Sequence, residues 1–193
     1  MDQILNWDTD LFITLNSLGT QTWDSFWLVY TAKFTWIPLY ALLLYLLFKQ
    51  KTLKPFLVII VLVALMIVVT DQTSNLFKNG FHRLRPCHLA DLIDQMRLVK
   101  SHCGGRYGFF SAHASNTMAI AIFIGLILKK RFNYLIYILI VWAIAMGYSR
   151  IYIGVHYPLD VIVGMVLGGA TGLLFYYLYK YIVRRFDFET FNL

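Results

Sequence analysis

The sequence predicts an all-α integral membrane protein, a helical bundle of about five transmembrane helices preceded by an amphipathic interfacial helix. Three observations carry this prediction. Of 193 residues, 59% are hydrophobic and 14% charged, against about 25% charged in soluble domains. The apolar residues are blocked into runs close to the roughly 20 that a helix needs to cross about 30 Å of hydrocarbon. Between those runs the basic residues gather in short turns. A mean hydropathy of +0.63 excludes a disordered chain and argues against a soluble domain. The whole chain, 1–193, therefore reads as one membrane domain.

Residues 1–20 place Asp2, Asp8 and Asp10 among Ile4, Leu5, Trp7, Leu11, Phe12 and Leu15 at nearly helical spacing, as in an amphipathic helix lying on a membrane surface. A basic start, an unbroken apolar stretch and a small-residue cleavage site are all missing, so a cleaved signal peptide is not expected and the mature chain is expected to begin at Met1. Five spans follow, over 25–48, 55–77, 110–128, 132–152 and 158–183. The first is interrupted by Lys33, which the span accommodates if the side chain snorkels to the interface. Connections are short except for 78–109, a polar outer loop that holds both cysteines and has the character of a functional loop. The last span carries Gly164, Gly168 and Gly172 at four-residue spacing, a stripe expected to admit a neighbouring helix of the same bundle, with a dimer interface as the alternative.

Sidedness follows from the turns. Lys49, Lys51, Lys54, Lys129, Lys130, Arg131, Lys180, Arg184 and Arg185 share one side with Asp187 and Glu189, and short basic loops stay cytoplasmic. The N-terminus and the long loop are then outside. The outer side carries eight basic residues, Lys33, Lys78, Arg83, Arg85, Arg97, Lys100, Arg106 and Arg150, against eight acidic ones. The formal net charge of +7 is thus wholly an orientation signal, and no nucleic-acid partner is expected from it.

Three polar clusters fall at the outer ends of the spans: Lys78 with Arg85-Pro86, then Phe110-Ser111-Ala112-His113, then Ser149-Arg150 with His156 and Asp160. Taken singly each has an ordinary explanation, as interfacial anchors, a helix-start histidine or a structural ion pair. Taken together, three cations, two histidines and an aspartate at one depth are costly without an anionic substrate to meet them. If the second span extends to Leu84, Lys78 and Arg85 share a face, and Asp71 either orients Lys78 or is a satisfied intramembrane carboxylate. Ser111 is placed to present its hydroxyl and the first amides of the third span to a phosphate oxygen. Arg150 offers a planar fork. Pro158 suits the first turn of the fifth span, leaving Asp160 able to accept from one ring nitrogen of His156 while the other faces substrate. This is the layout of a nucleophilic imidazole oriented by a carboxylate, with His113 available to protonate a leaving oxygen. No metal or cofactor is needed. Zinc held by His82, His88, His102, Cys87 and Cys103 is the alternative, although the spacings match no standard zinc pattern.

Lys78-x6-Arg85-Pro86, Phe110-Ser111-Ala112-His113 and Ser149-Arg150-x5-His156-x3-Asp160 resemble the three signature motifs of the type 2 phosphatidic acid phosphatase family, related to vanadium haloperoxidases. The resemblance implies a metal-independent membrane phosphatase acting on lipid phosphates or diphosphates at the outer face through a phosphohistidine. It implies His156 as nucleophile, Asp160 as its orienting carboxylate and His113 as general acid and then base. Lys78, Arg85, Arg150 and Ser111 would hold the phosphoryl oxygens, with the backbone of Ala112. The second motif departs from the usual Pro-Ser-Gly-His, and Ala112 keeps its oxyanion-binding amide only if its φ is negative. Cys87 and Cys103 are expected to pair in an oxidising compartment, with free thiols the alternative. The compact plan looks bacterial, which implies an inner-membrane enzyme, monomeric or homodimeric, with a periplasmic site. Competing readings are a haloperoxidase-like enzyme and a non-catalytic phospholipid-binding or transport protein. The substrate is left among undecaprenyl diphosphate, phosphatidylglycerol phosphate, phosphatidic acid and phosphorylated lipid A.

Overall fold

The computed structural model describes residues 2–188; Met1 and Glu189, named above, lie outside them. Among the described residues eight α-helices follow one another: α1 (Asp2–Ser17), α2 (Gln21–Thr31), α3 (Ile37–Gln50), α4 (Leu53–Phe81), the single turn α5 (Ala90–Ile93), α6 (Ala112–Leu128), α7 (Leu135–Tyr152) and α8 (Pro158–Arg185). Among the described residues there is no β-strand beyond one isolated bridge, Leu84 with Tyr107.

α6 lies at the centre, packed most extensively on α8 and then on α7. Its contact with α8 is made by the glycine stripe. A Cβ at Gly168 would sit 2.1 Å from the Ser115 carbonyl oxygen, and one at Gly172 would sit 2.5 Å from that of Ala119. Only bare backbone permits this approach, so the stripe serves the bundle's own packing. Leu43, Leu47, Ile59, Leu62, Met66, Phe123, Leu128, Leu139, Trp142 and Phe175 fill the space around it. The outward faces are equally apolar: Leu57, Val61, Leu65 and Val68 on α4, Ile138 and Val141 on α7, and Val166 and Leu174 on α8 are exposed. A chain whose surroundings are hydrocarbon gains no water-release term from burying such residues, so shape complementarity decides which face turns inward.

α4, α7 and α8 are long and apolar enough to cross a bilayer. The predicted third span is α6, 17 residues long. The predicted first span is broken: α2 ends at Thr31, a 3-10 turn covers Lys33–Trp36, and α3 leaves at 65°. The break is chemically closed, because Thr35 Oγ1 donates to Val29 O at 2.6 Å and Trp36 Nε1 to Tyr30 O at 2.7 Å, satisfying carbonyls freed at the end of α2. Lys33 thus marks an interruption rather than a snorkelling residue within a continuous helix.

α4 runs four residues past the predicted boundary and stops where His82 adopts a left-handed conformation, φ 50. Lys78 therefore lies in its last turn and Arg85 lies beyond it. The shared helical face expected for these two cations does not exist; the chain brings them together by folding back. α1 is amphipathic in an unexpected sense. Its inward stripe is Asp8, Phe12 and Asn16, all buried, whereas Ile4, Leu5, Trp7 and Leu11 are exposed. Asn16 Nδ2 donates to the carbonyls of Arg97, Ile151 and Tyr152, and its Oδ1 accepts from the Arg97 amide at 2.6 Å. A buried polar side chain satisfied this fully is inexpensive, and it fastens α1 to the end of α7.

Candidate active site

The fourth helix boundary builds the centre of the site. Arg150 closes α7, Gly154 turns the chain at φ +83, and Pro158 opens α8. A Cβ at Gly154 would meet Arg97 O at 2.6 Å, so glycine is required by conformation and by space. Across this turn His156 Nδ1 lies 3.2 Å from Asp160 Oδ2, and the same oxygen accepts from the Tyr157 amide at 3.1 Å. The Asp160 carboxylate is 0% exposed and His156 2%. With Nδ1 on the carboxylate, Nε2 is the ring nitrogen left for a substrate. His156 lies between the spans, and burial first, then the cations Arg150, Arg85 and Lys78, hold its imidazole well below the ordinary value of 6.5. It is a neutral base carrying a free lone pair.

The cations converge from three elements. Lys78 is within electrostatic reach of Arg85, Arg150 and Asp160. Arg85 is held by two loop carbonyls, Nε to Tyr107 O at 3.2 Å and Nη1 to Cys103 O at 2.9 Å. Arg150 is buried, donates from Nη1 to Thr31 Oγ1 at 2.7 Å, and keeps Nε without a protein partner. An unpartnered guanidinium nitrogen at this depth is a donor awaiting an acceptor. None of these three cations has a carboxylate within 4.0 Å among the described residues.

Ser111 is the N-cap of α6, its Oγ accepting from the Ala114 amide at 3.5 Å, the outer limit of such a bond. Its own amide donates to Asp160 O at 2.9 Å, which sets the start of α6 against the start of α8. Ala112 is the first residue of α6. Outside glycine, only His82 and Asp187 have positive φ among the described residues. The Ala112 amide is therefore kept in the helical orientation without strain. His113 follows, within electrostatic reach of Arg150 and His156. The motif residues thus meet at one end of the bundle.

Asp71 does not pair with Lys78 within 4.0 Å. Its Oδ1 accepts from Asn116 Nδ2 at 2.9 Å, and Asn116 Oδ1 accepts from Thr70, which makes it the satisfied intramembrane carboxylate. Cys87 and Cys103 form a disulfide, with Cα atoms 5.9 Å apart, so neither is a thiolate for zinc. No group of three His, Cys, Asp or Glu is placed to hold a metal among the described residues.

Sequence reasoning missed four participants. Arg83 and Asp8 are two, Arg83 bridging Asp160 and Asp8; Thr31 holds Arg150; and Gly108 brings its backbone over the dyad, where a Cβ would lie 3.0 Å from Asp160 Oδ2. Only Gly108, in a glycine-rich stretch, left a local signal.

Lipid A 4'-phosphatases of Porphyromonas gingivalis and Bacteroides thetaiotaomicron are 37% and 36% identical over 96% and 95% of this chain, and over 78% and 81% of their own. The crystal structure of a PAP2 type phosphatidylglycerolphosphate phosphatase from Bacillus subtilis superposes with a TM-score of 0.70, at 21% identity over 96% of this chain and 88% of that one, and so shares its fold. The family model for the PAP2 superfamily matches residues 55–184, and with the buried dyad and its ring of cations at one end of the bundle, the chain belongs to that superfamily.

Proposed function

We propose that this chain is a membrane lipid phosphatase that hydrolyses a phosphate monoester or diphosphate of a lipid through a phosphohistidine on His156. The observation that carries the reading is the neutral His156, oriented by a buried carboxylate and facing three cations that lack carboxylate partners. In-line attack by Nε2 forms the N–P bond as the bond to the lipid oxygen breaks. His113 gives its proton to that oxygen, then takes one from the water that cleaves the phosphoenzyme and releases phosphate. Lys78, Arg85, Arg150, Ser111 and the Ala112 amide hold the non-bridging oxygens, where charge stabilisation does most of the catalytic work.

A cleft of about 380 Å3 lined by Ile4, Leu5, Phe81, Phe109 and Leu159 together with Arg83, the partner of Asp160, supports a lipid substrate, because its apolar lining suits an acyl chain beside the site. The relatives favour phosphorylated lipid A among the four candidate lipids. The basic turns at the opposite end of the bundle support a periplasm-facing site, and the consumption of the glycine stripe by α6 removes the surface first considered for a dimer.

The test is phosphate release from lipid A, undecaprenyl diphosphate, phosphatidylglycerol phosphate and phosphatidic acid in detergent with chelator present. Release from at least one, lost in His156→Ala while the variant stays monodisperse, and an acid-labile phosphoenzyme absent from that variant, are the expected results. No release from any of the four, or substantial turnover by His156→Ala, overturns the reading. Halide oxidation after vanadate loading would instead support the haloperoxidase alternative.

A further inference from the structure

Asp160 is the most buried charge in the site, and a carboxylate at that depth is costly unless it is paired and fully hydrogen-bonded. His156 and the Tyr157 amide occupy Oδ2. Oδ1 accepts from Arg83 Nη1 at 3.0 Å. Arg83 is itself fixed from three directions. Its Nη2 donates to Asp8 Oδ2 at 2.6 Å, its guanidinium lies 4.0 Å from the centroid of the Tyr157 ring, and its carbonyl accepts from the Gly108 amide at 2.9 Å. Asp8 is fixed in turn, because its Oδ1 accepts from the Leu159 amide at 2.8 Å. That amide belongs to the first turn of α8, whose N–H groups have no carbonyl partner within the helix and are met from outside it. One unbroken run of hydrogen bonds therefore passes from α1 through Arg83 to Asp160 and so to His156.

We propose that Arg83 and Asp8 are positioning residues of the reaction: Arg83 holds the Asp160 carboxylate in the orientation that keeps His156 Nε2 aimed at phosphorus, and Asp8, from α1, holds Arg83. Neither touches the phosphoryl group, which is gripped by Lys78, Arg85, Arg150 and the start of α6. The planar fork suits this role, since two nitrogens of one guanidinium reach two carboxylates on different elements, a geometry an ammonium reproduces only in part. α1 is thereby part of the catalytic device as well as a surface helix. The inference rests on the reading of His156 as nucleophile.

Partners of this kind are worth about 10–100-fold when removed. Phosphate release by the full chain is measured for Arg83→Gln, Arg83→Lys, Asp8→Asn and the Arg83→Gln/Asp8→Asn pair, with inhibition by inorganic phosphate as a separate report on the cation cradle. The expected results are a fall in kcat of about 30–100-fold for Arg83→Gln and about 10-fold for the isosteric Asp8→Asn, with KM and the phosphate inhibition constant within about threefold of wild type. Arg83→Lys recovers part of kcat, and adding Asp8→Asn to Arg83→Gln costs nothing further, because both remove the same restraint. A structural role for α1 docking would instead give additive losses and weaken phosphate inhibition in step with kcat. That outcome, or unchanged kcat in both single variants, overturns the inference. If wild type itself releases no phosphate, or His156→Ala remains active, the underlying reading fails instead.

Discussion

Arg150 Nη1 donates to Thr31 Oγ1 at 2.7 Å, joining the last turn of α7 to the last residue of α2 across 119 residues of sequence. The break in the predicted first span comes immediately after that hydroxyl, since α2 ends at Thr31. Without the Thr31 hydroxyl a buried guanidinium loses a fixed orientation and leaves a further donor unmet. Thr31→Val, which keeps the side-chain shape, is expected to raise KM and the phosphate inhibition constant about tenfold, near 1.4 kcal/mol, with a smaller change in kcat. Phosphate inhibition kinetics check this, and an unchanged constant would show that Arg150 is held by its backbone alone.

The glycine stripe gives a stability prediction. A methyl group at Gly168 must displace the Ser115 carbonyl, 2.1 Å from the ideal Cβ. Overpacking of this kind costs about 1–3 kcal/mol, and neighbouring backbone cannot yield as a flexible side chain would. Gly168→Ala should lower the melting temperature in detergent by several degrees, whereas Gly169→Ala, whose nearest contact is Met118 Cγ at 3.6 Å, should leave it almost unchanged. Equal melting temperatures for the two would contradict the packing described.

The disulfide joins Cys87 and Cys103, 16 positions apart in sequence. A closed loop of this size is worth about 3 kcal/mol in the chain-entropy treatment. Because Cys103 O also holds Arg85 Nη1, reduction should affect substrate binding as well as stability. Cys87→Ser/Cys103→Ser is expected to melt earlier and to show a raised KM, and reductant should produce the same change in wild type but none in the variant. Intact mass with and without reductant confirms the bond directly.

His156 supplies a pH prediction. Its imidazole is held well below 6.5 in the folded protein, while the unfolded chain takes up a proton near pH 6.5. Unfolding is thus coupled to proton uptake below that value. The stability present above about pH 6.5 is lost as pH falls toward the folded value, at about 1.4 kcal/mol per pH unit for one group. Melting temperatures between pH 8 and pH 5 should fall more steeply for wild type than for His156→Gln, which has no group to titrate there. Parallel curves would mean that His156 takes up its proton over the same pH range in the folded protein as in the unfolded chain.

Much of the site was legible because its geometry is local. Pro158 at the start of a helix fixes the relation between His156 and Asp160, four residues apart, and Ser111 at an N-cap exposes amides that any helix start exposes. Local reasoning failed where a boundary had to be placed. The stretch before Phe81 is polar and carries Asn79-Gly80, yet α4 runs through that pair and stops only where His82 turns left-handed, so the shared helical face expected for Lys78 and Arg85 does not form. Lys33 was legible as an interruption, but whether a chain snorkels a lysine or breaks its helix depends on what awaits the freed carbonyls, here Thr35 and Trp36.

The sequence by itself determined the apolar runs, the side on which the basic turns collect and which polar residues fall together at the outer ends of the spans, because hydropathy, charge and short spacings act within a few residues. Only the tertiary structure decided that Asp8 and Asn16 turn inward from a helix whose apolar residues face out, that Arg83 rather than water satisfies Asp160, and that Thr31 orients Arg150. Those pairs are separated by 75, 77 and 119 residues for Asp8–Arg83, Arg83–Asp160 and Thr31–Arg150. A buried charge takes whichever partner the packed backbone brings within reach, and packing against α6 and α8 sets that choice through shape, which no local pattern of residues encodes.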